Sequence, residues 1–315
     1  MYNYSELLPH IEGSDYENHF WNVIRGKNGH KEHVNKGTDT ATGGYTLTPK
    51  GQDKYIAAVK RESLFRSIAT DITAYNARYN IKTVSGEDVA VWVPEGGAIP
   101  ITDSMEDFGD IALDSHKLAV FLQLEEDFVH DATFKIEDYL VSRLAKNFGR
   151  AEDKAFINGT GKDEPLGILA ENGGADIGVT TTAITYEDVV KLFFSVKPEY
   201  RRNGVWLMND ETAMALRTLK DDGGNYIWNH SNDTIFGKKV CISEFMPSAD
   251  DVAKPIAFGD FSYYWIVGRR PISVRTLVEQ FAMLDCVGYL AYEILDGKLI
   301  RSEAVKVMEM TDTAA

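Results

Sequence analysis

Apolar residues in this chain follow two rhythms, one of three and four and one of two. Tyr55, Ile56 and Val59, then Leu64, Phe65 and Ile68, keep helical spacing after Pro49. The rhythm of two takes over across 79–84 and 89–93, which read as strands around the turn Ser85-Gly86-Glu87-Asp88. Pro94-Glu95-Gly96-Gly97 breaks the second of these. From 111 to 124 the alternation returns, with Ile111, Leu113, Ala119 and Phe121 on one face and Ala112, Leu118, Val120 and Leu122 on the other. Residues 73–124 are therefore expected to be an extended, mostly two-stranded ribbon. Such a ribbon is marginal alone in water and needs partners.

The clearest helix is predicted over 134–157. Ile136, Leu140, Leu144, Phe148, Ala151 and Ala155 form one stripe, and Asn158-Gly159-Thr160-Gly161 supplies a glycine-type stop. At about 1.5 Å per residue it is roughly 36 Å long. Farther on, Thr185-Tyr186-Glu187-Asp188 has the capping-box pattern ahead of Val189, Val190, Phe193 and Val196. Val205-Trp206-Leu207-Met208 reads as a buried strand, and Asn209 as the cap of a helix reaching Leu219. Strands are expected at 238–243, 255–258, 263–267, 272–277 and 298–309, and a helix across 281–294. This alternation makes the second half α+β or α/β with a mixed sheet.

The first 25 residues carry Tyr2, Tyr4, Tyr16, Phe20 and Trp21, enough aromatics to dock on something but too few for a core. Residues 26–44 hold five glycines, with only Val34 and Ala41 apolar. Such a stretch cannot offset its own ordering entropy, so 1–42 is expected to be an arm ordered by other surfaces.

Composition narrows the function. The 315 residues are 44% hydrophobic and 26% charged, ordinary values for a folded protein of one large or two smaller domains. No apolar run exceeds five residues, against the ~20 of a membrane-spanning helix. The polar, acidic start lacks the layout of a secretion signal. A net charge of −15 argues against general nucleic-acid binding, and Arg201-Arg202 and Arg269-Arg270 are only dipeptides. Cys241 and Cys286 lie in apolar surroundings and read as buried thiols.

Nothing among the residues argues for catalysis, a cofactor or a metal. His30 and His33 sit in the glycine-rich stretch, where a helical ligand pair is not expected. Gly159-Thr160-Gly161-Lys162 follows a helix instead of preceding one, so it cannot cradle a phosphate. Glu125-Glu126-Asp127 and Asp221-Asp222 lack the alternate spacing of a calcium loop. The residues favour a structural or assembly protein over an enzyme.

Several motifs occur in an order that resembles the tailed-phage major capsid protein family. They are Gly43-Gly44 through Pro49; Ala155-Phe156-Ile157-Asn158-Gly159-Thr160-Gly161 with Glu164-Pro165-Leu166-Gly167-Ile168-Leu169; and Trp206-Leu207-Met208-Asn209 through Leu219-Lys220-Asp221. Gly224-Asn225-Tyr226-Ile227, Ile235-Phe236-Gly237-Lys238-Lys239-Val240 and Ile256-Ala257-Phe258-Gly259-Asp260-Phe261 complete the set, which spans roughly 43–310. The resemblance implies the α+β, Hong Kong 97-type fold. Its parts would be an arm (1–42), an extended β-ribbon loop (73–124), a peripheral domain (43–72, 125–179 and 270–301) with a spine helix (134–157), and an axial α/β domain (180–269 and 302–315).

It also implies a subunit that assembles with its own copies into hexamers and pentamers of an icosahedral head. The head would enclose double-stranded DNA without reading its sequence, with no membrane and no cofactor. Separate scaffold, portal and decoration proteins are the further partners. Tyr2, Tyr4, Phe20, Trp21, Trp92, Ile99 and Ile101 are the candidates for contact between subunits. Only about 42 residues precede the matching part, which implies a separate scaffold or none, and no cleavage there. Some members of the family link subunits through a lysine on the loop and an asparagine, assisted by a glutamate that Glu293 resembles. No lysine lies between Lys82 and Lys117, so that link is not expected. An encapsulin-like compartment shell, which resembles the same fold, is the alternative.

Overall fold

The computed structural model describes residues 4–27, 29–38, 44–74, 80–84, 108–112, 114–131, 133–220, 223–229, 231–249 and 252–311. Two 14-residue strands, Tyr264–Leu277 and Cys286–Leu299, pair antiparallel and form the backbone of one sheet. His116–Glu125 lies along the outer side of Cys286–Leu299, while Tyr45–Thr46 and Thr70–Thr73 flank Tyr264–Leu277. A second, seven-stranded mixed sheet runs in the order Asp176–Thr181, Val305–Met310, Ile256–Gly259, Val205–Met208, Lys238–Ile242, Thr234–Ile235, Trp228–Asn229. The helices Tyr186–Ser195 and Asp210–Thr218 cover it through Val189, Leu192 and Leu216, which share a core with Trp206 and Phe258. Their caps are the expected ones: Thr185 accepts from the Asp188 amide and Asn209 from the Thr212 amide.

The helix Ile136–Asn158 is the longest among the described residues and joins the two halves. Ile136, Leu140, Leu144 and Phe148 enter a core with the first sheet. Phe156 and Ile157 enter another, shared with Tyr264 of the first sheet and Leu207, Ala257 and Val307 of the second. The buried stripe runs on through Glu152, Asp153 and Phe156, not through Ala151 and Ala155 as the spacing suggested.

The helix also stops in a different way from the one expected. Gly159 is extended (φ −62°, ψ 146°), and the left-handed glycine is Gly161 (φ 77°). Chain 166–169 turns back along the helix end, so that the Gly167, Ile168 and Leu169 amides donate to the Gly159, Phe156 and Ile157 carbonyls at 2.8–3.0 Å. Carbonyls that any helix leaves unpaired at its end are thereby satisfied. A Cβ on Gly159 would stand 2.1 Å from the Pro165 oxygen, so only glycine permits this return.

Four expectations are corrected. First, 281–294 is not one helix: a short 3₁₀ helix, Glu279–Leu284, covers its start, and Cys286–Leu299 is a strand between two neighbours, with Val287, Tyr289 and Ala291 in the core. Secondly, 263–267 and 272–277 are one strand, interrupted only by register shifts between Gly268 and Ser273. Thirdly, the ribbon is shorter than 73–124. His116–Glu125 belongs to the main sheet, and the two-stranded part is Asn80–Val84 paired with Phe108–Ala112. Its tip, including Trp92, Ile99 and Ile101, lies outside the described residues.

Fourthly, the N-terminal segment is no free arm. Helices Tyr4–Ile11, Ser14–Ile24 and Lys31–Val34 pack on the body, and Ile11, Tyr16, Phe20, Val23, Ile24 and Val34 are buried with Leu47, Tyr55 and Tyr289. Tyr16, Phe20 and Val23 share one helix face at spacings of four and three. Polar groups fasten the seam. Tyr16 donates to the Thr46 carbonyl, Tyr289 to the Ile24 carbonyl, and Arg25 to the carbonyls of Val129, Asp131 and Phe134. Phe20 is fully buried and so cannot reach a neighbour. Cys241 is buried as expected, but Cys286 is only half-buried; both are free thiols.

Phe20→Ala is therefore expected to destabilise the isolated subunit by about 3–5 kcal/mol, the usual cost of emptying a buried phenylalanine site. Chemical denaturation followed by fluorescence checks this. An unchanged midpoint would mean that the N-terminal helices leave the body in solution.

Candidate assembly surface and buried charge cluster

Helix Pro49–Glu62 ends at Ser63, and a second short helix, Leu64–Ile68, starts at once in a new direction. The corner is held by the long helix. Asp153 accepts from the Ser63 hydroxyl at 2.5 Å and from the Leu64 and Phe65 amides at 2.9 and 3.0 Å. A carboxylate at a helix start is favoured by the free amides and the dipole there. Burial nevertheless raises the Asp153 pKa, against the lowering effect of those hydrogen bonds.

This corner aims Arg66 into the interior. Its Nε and Nη2 both reach Glu152 at 2.7 Å, Nη1 reaches Asp71 at 2.9 Å, and Nη2 also reaches Glu293 at 3.2 Å. Tyr55 donates to the other oxygen of Glu293 at 2.5 Å. Arg66, Glu152 and Glu293 are all buried. One guanidinium thus faces three carboxyl groups. Burial, then the Glu152 charge, pushes Glu293 up to about 8, with Arg66 acting in the opposite sense.

The surface carries a second feature. Among the described residues, His116–Glu125 is the outermost strand of its sheet, and its outward face alternates with the core face along its whole length. Phe121 on that face is exposed and lies 5.2 Å from the ring of Phe281. Beyond the strand, Phe128 is exposed against Phe134, and Leu284 and the 95% exposed Met283 stand on the 3₁₀ helix Glu279–Leu284. Exposed apolar side chains gathered beside an outer strand are the usual composition of a contact surface. On the other half of the molecule, Phe194, Met214 and Tyr226 are exposed as well.

Of the contact residues predicted from sequence, Phe20 is in the core and Trp21 is half-buried edge-on against it. Tyr4 begins the first helix, and Tyr2 lies outside the described residues. Phe121, Phe128, Met283 and Leu284 were not anticipated as contacts. The exposed alternation of Phe121 was legible, but Met283 and Leu284 lie in a short 3₁₀ helix at the start of the span expected to be one longer helix.

The family model described as the phage capsid family matches residues 43–310. The chain belongs to the phage capsid family. Among relatives, it is 23% identical over 203 residues to the major capsid protein of Klebsiella oxytoca phage phiKO2, covering 61% of this chain and 47% of that one. It is 26% identical over 195 residues to the probable major capsid protein gp17 of Mycobacterium phage D29, covering 62% and 57%. These matches span about half the length of those two relatives. The fold resembles that of a solved capsid of an empty GTA particle, with a TM-score of 0.68 and 28% identity over 80% of this chain and 90% of that one. The mixed α+β architecture with one long helix and two sheets matches Hong Kong 97-type capsid structures.

In this phage capsid family member, the glutamate that resembles a cross-linking assistant is committed elsewhere. Both Glu293 oxygens are taken, one by Arg66 and one by Tyr55. Lys117, at the lower end of the lysine-free loop, places its Nζ 4.0 Å from the centre of the Tyr292 ring.

The raised Glu293 pKa has a definite consequence. Between the ordinary glutamate value and about 8, the folded chain keeps a proton that the unfolded chain has released. Stability therefore falls as pH rises across that interval and levels off above it. The melting temperature is expected to decrease from pH 6 to pH 8.5, and Glu293→Gln is expected to flatten that slope. A slope unchanged in the variant would place the titration on another group.

Proposed function

We propose that this chain is the major capsid subunit of an icosahedral head of the tailed-phage or GTA type, assembling with its own copies as hexamers and pentamers around double-stranded DNA. The observation that carries this reading is the likeness to the GTA capsid, which extends over 90% of that chain at 28% identity. The half built on the 136–158 helix and the first sheet would be the peripheral domain, and the half built on the seven-stranded sheet the axial domain. The net charge of −15 suits a container whose wall must not hold its genome tightly. Scaffold, portal and decoration proteins are the partners such a head would use. Particles purified from the host after nuclease treatment are expected to contain protected double-stranded DNA. Shells filled with an enzyme instead of DNA would point to the compartment alternative and overturn the proposal.

Contacts between subunits would be made by the ribbon tip (Trp92, Ile99 and Ile101), by Tyr2 and Tyr4, and by the strand-edge surface with Phe121, Phe128, Met283 and Leu284. The assembled shell is held without covalent links. An isopeptide bond needs an amine on the loop, an amide across the contact and a carboxylate free to move protons. The loop between Lys82 and Lys117 has no amine, and Glu293 is bound to Arg66 and Tyr55. Boiled in detergent, particles are expected to give one band near 35 kDa. A ladder of dimers to hexamers that survives reducing agent would contradict this.

A further inference from the structure

The stretch that reads as a linker makes a tight turn. Gly26 and Gly29 are left-handed (φ 73° and 86°), a conformation that costs glycine little. The turn lays the 30–33 segment against the helix Ser14–Ile24, and four side chains meet. Asp15 and His19 are one turn apart on the helix, with Asp15 Oδ1 3.2 Å from His19 Nε2. Asp15 Oδ2 lies 3.1 Å from His33 Nδ1. The His19 and His33 rings stack with centroids 4.0 Å apart. On the far side of the His19 ring, Nδ1 is in hydrogen-bond contact with His30 Nδ1.

We propose that Asp15, His19 and His33 form a site for a divalent transition ion of the zinc class, with His30 orienting His19 from outside the ligand set. Three ligand atoms, one from each residue, lie within 4.8 Å of one another. Asp15 reaches His19 through Oδ1 and His33 through Oδ2, and the two rings stack, so one carboxylate oxygen would ligate and the part-exposed His33 ring would turn out of the stack to aim its lone pair at the ion. Two imidazoles and one carboxylate select zinc-like ions over magnesium or calcium, which prefer oxygen throughout. Water would take the fourth position.

The contact with His30 is the kind of support that metal-bound histidines use. With His19 donating from Nδ1, its Nε2 lone pair faces the Asp15 carboxylate, and a cation between them satisfies both. His19 is 23% exposed, His33 44% and Asp15 68%, so an ion can enter from solvent. Once bound, it would clasp the turn shut and hold the N-terminal helices in the fold they adopt on the body.

The test uses the untagged full chain, stripped with chelator and then given zinc chloride or magnesium chloride. The wild type is expected to retain one zinc per chain after desalting and to melt at a higher temperature with zinc but not with magnesium. His19→Ala and His33→Ala should each weaken zinc binding by tenfold or more. His30→Ala should weaken it about tenfold without changing the stoichiometry. Asp15→Asn, which keeps the side chain's shape, gives the same reading should an alanine variant fold poorly, and metal-free melting curves check folding in each case. A wild type that loses its zinc on desalting, or variants that bind zinc as the wild type does, would overturn the proposal.

Discussion

A single buried guanidinium organises half of this molecule. Arg66 binds the long helix through Glu152, the strand Thr70–Thr73 through Asp71 and the central strand Cys286–Leu299 through Glu293. Tyr55 adds the helix before the corner by donating to Glu293. Next to it, Asp153 caps the short helix that carries Arg66. A buried ion group of this kind adds little net stability over a well-packed apolar one, but removing one partner typically costs about 3–5 kcal/mol because a charge is left unpaired. The cluster lies where the long helix, the strand Thr70–Thr73 and the central strand meet, so loss of one partner is felt by all three.

The two halves are coupled by continuous elements. The long helix begins in one core and ends in another, and the chain that returns after it seals its last carbonyls. Tyr264, which starts the long strand Tyr264–Leu277, sits in the shared core, edge-on to Phe65 and tilted against Phe156. Its hydroxyl donates to the Leu166 carbonyl, which ties the return segment to the sheet. Outside these cores, Phe121 on the strand His116–Glu125 is left exposed.

Much of this was legible in the chain itself, for stated reasons. The long helix declares itself because one face packs and the other is wet, and Thr185 and Asn209 act locally. The strand 286–299 escapes a reading by period because both of its faces are largely covered, so burial does not alternate cleanly and Val287, Leu290 and Ile294 mimic helical spacing. The N-terminal segment was misread because its glycines and charges mask a short apolar face, Tyr16, Phe20 and Val23, whose partners lie far along the chain. Glu152 carries a signal in the sequence: it stands four residues from both Phe148 and Phe156, an acidic residue in an apolar stripe. The histidine cluster could not be read, since His19 is brought to His30 and His33 only by the turn at Gly26 and Gly29.

The central claim is that this subunit closes into a shell. Its most direct test is cryo-electron microscopy of the chain expressed together with the genes that flank its own. The account predicts closed icosahedral particles with fivefold vertices and hexameric faces. In these, the strand edge with Phe121 and the ribbon of residues 80–112 should lie at contacts between subunits. A protein that stays monomeric at every concentration, or shells in which both features face open solvent, would contradict it.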